Sequence, residues 1–285
     1  MRSVRPRHDD PLIPDEVKPA DLEKGARTQL KTLSKENADE VARHLAMAAR
    51  LIDEDPELAH RHALSAARRA GRIAVVRETL AITAYAIGDF ALALRELRTY
   101  RRISGSNDQL PLMVDSERGV GRPDRALETG RSVDRSTLPV SVQVGLAIAM
   151  SGARLDLGQT DAALAELEIP QLDPTRAFDY SPALFAAYAE VLGDLGRGRE
   201  AELWRTRADV AADALDDGAA DDVLEVEDVA IDDEDIPTAG DGPAADPAVD
   251  PAADPAVDPA ADPAADPADG PAEGDGDGDD ARPAS

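Results

Sequence analysis

The chain has 285 residues, with 58 acidic and 31 Lys or Arg side chains, a formal net charge of −27 and no cysteine. The charge is uneven: residues 216–285 hold 24 acids and one base, Arg282, for a net of −23, whereas residues 1–215 hold 34 acids and 30 bases, for a net of −4. The missing cysteines exclude disulfides, thiolate chemistry and Cys-based zinc or iron–sulfur sites, and the near-neutral body is long enough to bury a substantial core.

Residues 1–18 carry Pro6, Pro11 and Pro14 with mixed charge and no periodicity, which predicts an irregular arm. No apolar run follows its arginines, so a signal peptide is not expected. No segment reaches the roughly 18 apolar residues of a membrane span either. The expected compartment is the cytoplasm. A helix is predicted over 20–33, with Leu22, Ala26, Leu30 and Leu33 on one face. Ser34 is placed to cap a second helix over 35–53, where Val41, Leu45, Ala48 and Ile52 recur at helical spacing.

Asp55 and Pro56 read as N-cap and first residue of a helix that runs to Ala70 and ends on Gly71 as a left-handed cap. A helix over 73–87 ends at Gly88, and Asp89 starts another that Gly105 closes. The third pair is the least regular, with Pro111 and Pro123 each near a helix start. A strong helix follows over 137–157, with Pro139 in its first turn. After Gly158, Thr160 is placed to cap a short helix, and Ser181 and Pro182 read as N-cap and first residue of one that runs to Leu195. A last helix is expected over 199–215, giving eleven helices and no strand.

One alanine recurs through this series. Ala59, Ala93, Ala126, Ala163 and Ala201 are separated by 34, 33, 37 and 38 residues, and Gly88, Gly121, Gly158 and Gly196 each precede one of them by five. In the first unit the equivalent position is Glu54. A period near 34 with helices on both sides marks stacked helical hairpins. A small residue lets helix axes approach, and the glycine lets the chain reverse in few residues.

The stretch Leu80-Ala81-Ile82-Thr83-Ala84-Tyr85-Ala86-Ile87-Gly88-Asp89-Phe90-Ala91-Leu92-Ala93-Leu94 resembles the tetratricopeptide-repeat superfamily, with Ala81, Gly88, Phe90 and Ala93 at its small, turn, aromatic and packing positions. The fourth unit keeps Ser151, Gly158, Ala163 and Leu167, and the fifth keeps Ala189, Gly196, Ala201 and Ala208. The pattern is also similar to alanine-rich repeat proteins of high-GC bacteria. Only Phe90 supplies the aromatic after the turn, and Gly130 stands where a large residue is expected. The fold so implied is an all-α, right-handed superhelical solenoid of about five degenerate TPR-like hairpins over residues 19–215, with an N-terminal helix and a disordered acidic tail over 216–285. The alternative is an irregular all-α bundle whose spacing is coincidental.

The resemblance implies a non-enzymatic scaffold that holds a partner protein or peptide on the concave face lined by the first helix of each hairpin. Carried over by register, the candidate groove is His44, Glu78, Ile82, Tyr85, Asp115, Arg118, Asp156, Glu190 and Asp194, with Ala48 and Leu155 beside them. A lysine–asparagine clamp for a C-terminal carboxylate is not expected, since the last lysine is Lys35 and neither Asn37 nor Asn107 falls in register.

Arg95, Arg98 and Arg102 share a helix face. The strongly acidic chain argues against nucleic acid, because phosphate contacts dominate that affinity, and favours arginines paired with Glu78, Glu96 and other carboxylates. No H-E-x-x-H, P-loop or dinucleotide fingerprint is present. No catalytic residue, cofactor or metal site is expected.

In the tail, residues 243–268 repeat Ala, Ala or Val, Asp and Pro, a disordered composition. Residues 221–236 differ, interleaving Val223, Leu224, Val226, Val229, Ile231 and Ile236 with nine acids. That alternation suits a docking motif, including one that folds back onto the arginine-bearing helix faces of its own repeats. The alternative function is chaperone-like or regulatory, the acidic tail contacting basic partners.

Overall fold

A computed structural model describes residues 9–216 and the backbone of 224–225. The chain divides into two units, Met1–Ala230 and Ile231–Ser285, and every described residue belongs to the first. The expected disorder of the tail, its Ala/Asp/Pro repeat and most of the acidic–hydrophobic stretch lie outside the described residues.

The described part is helical: α1 (Lys24–Gln29), α2 (Lys35–Leu51), α3 (Pro56–Ala70), α4 (Ala74–Ala86), α5 (Phe90–Ser104), α6 (Leu110–Gly119), α7 (Pro123–Gly130), α8 (Val140–Asp156), α9 (Thr160–Leu167), α10 (Ser181–Asp194) and α11 (Gly198–Asp216). It contains one antiparallel pairing of two-residue strands, β1 (Arg176–Ala177) with β2 (Leu224–Glu225). Among the described residues no helix is long and apolar enough to cross a membrane.

Five consecutive pairs, α2/α3 through α10/α11, pack within themselves, and the second helix of each also packs on the first helix of the next. First helices touch one another directly in α2/α4, α6/α8 and α8/α10. The turns explain why the pairs form. Gly88, Gly121, Gly158 and Gly196 have φ of +78°, +76°, +69° and +75°, backbone that a side chain would strain. In each, the residue after glycine donates its amide five residues back at 2.9 Å: Asp89 to Ala84, Arg122 to Glu117, Gln159 to Arg154 and Arg197 to Leu192. Four turns thus share one closure, which satisfies the last carbonyls of the preceding helix. The first pair reverses without glycine. There Leu51 O accepts from the amides of both Glu54 and Asp55, and the Asp55 side chain caps Leu58 N at 2.9 Å.

The recurring alanines do what their spacing predicts: all five are fully buried. Between them the apolar clusters run along the helix order. One joins α1–α4 with Val17 and Leu22, and another joins α8–α11 around Phe185, Leu184 and Leu192.

Several local expectations need correction. The single helix over 20–33 is broken into a turn at Pro19–Asp21, α1, and a turn at Leu30–Thr32. Glu23 starts α1 by accepting from Ala26 N at 3.0 Å, so Leu22 packs as an extended residue and not on a helix face. Gly71 has φ of −67° and is not left-handed. What requires glycine there is space, since a Cβ would meet Ala67 O and the Arg77 guanidinium. Ser34 stands at an N-cap without bonding the helix. Pro139 is itself an N-cap, one residue before the helix. Thr160 and Ser181 are first helical residues, not caps, and Ser181 Oγ instead accepts from Phe178 N at 3.0 Å. The irregular N-terminal segment is tied down: Val17 is buried, Arg43 donates to Val17 O at 2.9 Å, and Arg69 pairs with Asp10 at 2.7 Å.

Candidate protein-binding face

Four of the residues chosen by register meet in one polar chain across α4, α6 and α8. Tyr85 Oη donates to Asp115 Oδ2. Arg118 donates to Asp115 Oδ1 at 2.5 Å and grips Asp156 with two bonds, at 2.8 and 3.2 Å. These are consecutive first helices, so the network crosses two hairpin boundaries. It borders a recess of about 200 Å³ lined by Phe90, Asp115, Arg118, Gly119 and Asp156. A planar guanidinium gripping a carboxylate with two bonds is directional as well as attractive.

The electrostatics fix protonation here. Burial and the bond to Asp115 push the Tyr85 hydroxyl up to about 12, so it stays a donor at neutral pH. Burial works against the Arg118 charge, but the hydrogen bonds and charges of Asp156 and Asp115 outweigh it and raise its pKa. Neither group is poised to exchange protons near neutrality. Two carboxylates around one guanidinium leave a local charge of −1.

Glu78, also on α4, accepts from Gln109 Nε2 at 2.8 Å, just before α6. Burial raises its pKa above the usual carboxylate range, against the effect of the Gln109 bond. Ile82 is half-buried, while Glu190 and Asp194 are exposed on α10. His44 is placed elsewhere: it is fully buried, and its Nδ1 lies 2.9 Å from Nδ1 of His62, itself fully buried on α3. It therefore belongs to the α2–α3 contact and lines no open groove.

The arginine faces also differ from expectation in one partner. Glu96 is buried between Arg77 and Arg95, at 2.5 and 3.0 Å, and Arg98 pairs with buried Glu117 at 2.7 Å. Glu78 pairs with an amide, not with an arginine. Arg98, Arg101 and Arg102 line a second, open cleft of about 480 Å³ with Met113 and Thr129.

Two contributors escaped the sequence reading. Gly152, in the middle of α8, lies directly beneath the Arg118 guanidinium, where any Cβ would collide with it. Gly145, seven residues earlier, passes Pro111 in the same α6–α8 contact. Two glycines seven apart inside one helix put two small residues on one face, and that was the available signal. Among the described residues no cluster of three or more His, Cys, Asp or Glu side chains is arranged to hold a metal ion. Compared with models of protein families and with curated proteins, the chain matches none.

Proposed function

We propose that this chain is a non-enzymatic protein-binding scaffold of the tetratricopeptide-repeat type, its five hairpins stacked as a right-handed superhelical solenoid. A partner protein or peptide lies along the face built by α4, α6, α8 and α10. The observation that carries the reading is the Tyr85–Asp115–Arg118–Asp156 chain, which gives three successive first helices one continuous polar edge. Sequential hairpin packing, four matching turn closures and a buried alanine in every unit support the repeat architecture. Single hairpins cannot bury their apolar faces, so the stack leaves a long surface whose natural use is recognition, not chemistry.

The test compares partners captured by the full-length protein and by an Arg118→Glu variant, each checked for helix content and melting temperature. A partner retained by the wild type and lost by a folded variant is the expected result. An unchanged captured set from a folded Arg118→Glu protein removes the groove from the proposal.

A further inference from the structure

The segment joining α9 to α10 carries the short strand β1. Asp173 Oδ1 accepts from the amide and hydroxyl of Thr175, at 2.9 and 2.7 Å, turning the chain into β1. Beyond β1, Phe178 and Ser181 exchange two bonds, Phe178 N to Ser181 Oγ and Ser181 N to Phe178 O, at 3.0 and 2.8 Å. The strand is thereby pinned at both ends. Ala177 is buried in the α8–α11 core, and Arg176 is exposed. Beside β1 lies a cleft of about 470 Å³ bordered by Val140, Pro170, Arg176, Phe178 and Tyr180. Val140 is 47% exposed, one of three large apolar side chains that stand out this way among the described residues. Phe178 and Tyr180 stack with ring centroids 5.1 Å apart, and the Arg176 guanidinium sits 5.5 Å from the Phe178 centroid.

What pairs with β1 is the chain's own Leu224–Glu225, in the register Arg176↔Glu225 and Ala177↔Leu224. That register sets an acid opposite an arginine and an apolar residue opposite a buried one; a slip that brings Glu225 opposite Ala177 reverses both matches, and the opposite slip sets Leu224 against Arg176. The alternation spans 224–227: Leu224 and Val226 share one parity, Glu225 and Glu227 the other. Seven residues, 217–223, connect α11 to Leu224, a reach of about 25 Å. A tether that short gives the segment an effective concentration on the order of millimolar.

We propose that the β1 edge and its cleft form a docking site for an extended acidic–hydrophobic segment, and that its occupant is residues 221–229 of the same chain. Main-chain pairing supplies the affinity, and the arginine and apolar cleft supply the selectivity. Its lining shares no residue with the Tyr85–Asp115–Arg118–Asp156 chain. It also differs from the arginine-bearing helix faces that the sequence suggested for tail contact.

The experiment is amide hydrogen exchange of Arg176 and Ala177 in the full-length protein and in Leu224→Pro, which puts a residue that cannot join a ladder opposite buried Ala177. Protection of the α8 and α10 amides serves as the folding control. We expect the β1 amide that faces Leu224–Glu225, one of any two adjacent amides in an antiparallel pair, to exchange at least tenfold more slowly in the wild type. A peptide spanning residues 221–229 is expected to bind and reprotect Leu224→Pro and to leave the wild type unaffected. Arg176→Glu should speed exchange about two- to fivefold, and adding Glu225→Arg should restore it. Equal exchange in wild type and Leu224→Pro, or equal peptide binding to both, overturns the proposal. Protection that disappears on dilution also overturns it, because a second copy would then be the donor.

Discussion

The buried pair of His44 and His62 predicts a specific loss of stability in mild acid. Their Nδ1 atoms are 2.9 Å apart, so one ring must donate and the other accept, which a doubly protonated pair cannot do. Burial first, then the neighbouring His44 and Arg61, lowers the His62 pKa from 6.5 to about 4. The unfolded chain therefore takes up a proton near pH 6.5 and the folded chain does not until about 4. The contribution is intact above 6.5 and is lost as the pH falls through that window. Between about pH 7.5 and about pH 5 the loss is about 2 kcal/mol, growing to about 3 kcal/mol once both states are protonated. His60, also lowered by burial, acts in the same direction, while Glu78, raised by burial, acts oppositely. The assay is urea denaturation across this pH range for wild type and for a His44→Leu/His62→Leu variant, which keeps volume but removes His62 together with its partner. The difference between the two pH profiles should be about 2 kcal/mol at about pH 5, with the wild type losing more. Parallel profiles would refute the reasoning.

The other predictions concern packing and a buried charge. Ala93→Leu adds volume where the side chain is fully buried between α5 and its neighbours, and should cost about 1–3 kcal/mol, read as a lower melting temperature. Arg98→Met leaves the Glu117 carboxylate, only 3% exposed, without its cation and should cost about 1–3 kcal/mol in urea denaturation. Arg102→Met, an exposed residue one turn further along the same helix, should stay within about 0.5 kcal/mol of wild type.

How much of this was legible depended on whether the cause was local. The Gly-to-Ala interval encodes a turn closure and a packing contact within one hairpin, so it located the turns at Gly88, Gly121, Gly158 and Gly196 and the buried alanines that follow them. Tyr85, Asp115, Arg118 and Asp156 were found because helical register alone puts them on first helices, and the network then follows from neighbouring units. His44 went astray for the opposite reason. Its register matches the others, but its partner His62 lies on the facing helix, where the choice between core and groove is made. Gly71 misled because glycine answers both to backbone conformation and to crowding, and only the fold reveals Arg77 above it. The pairing of Leu224 with Ala177 joins positions 47 residues apart, and no short-range pattern carries that distance.

The two glycines of α8 have a further consequence for how the chain comes apart. Each interior glycine costs a helix about 1 kcal/mol relative to alanine. Gly145 and Gly152 therefore make α8 a poor helix in isolation, and its order depends on the Pro111 and Arg118 side chains of α6 that occupy those gaps. The dependence is mutual, since α6 is only ten residues long and loses those contacts when α8 unwinds. Opening either hairpin alone exposes both, so α6 to α9 should melt as one cooperative block. The unit whose sequence looks most degenerate is thus dovetailed into its successor, and fraying should begin elsewhere along the stack.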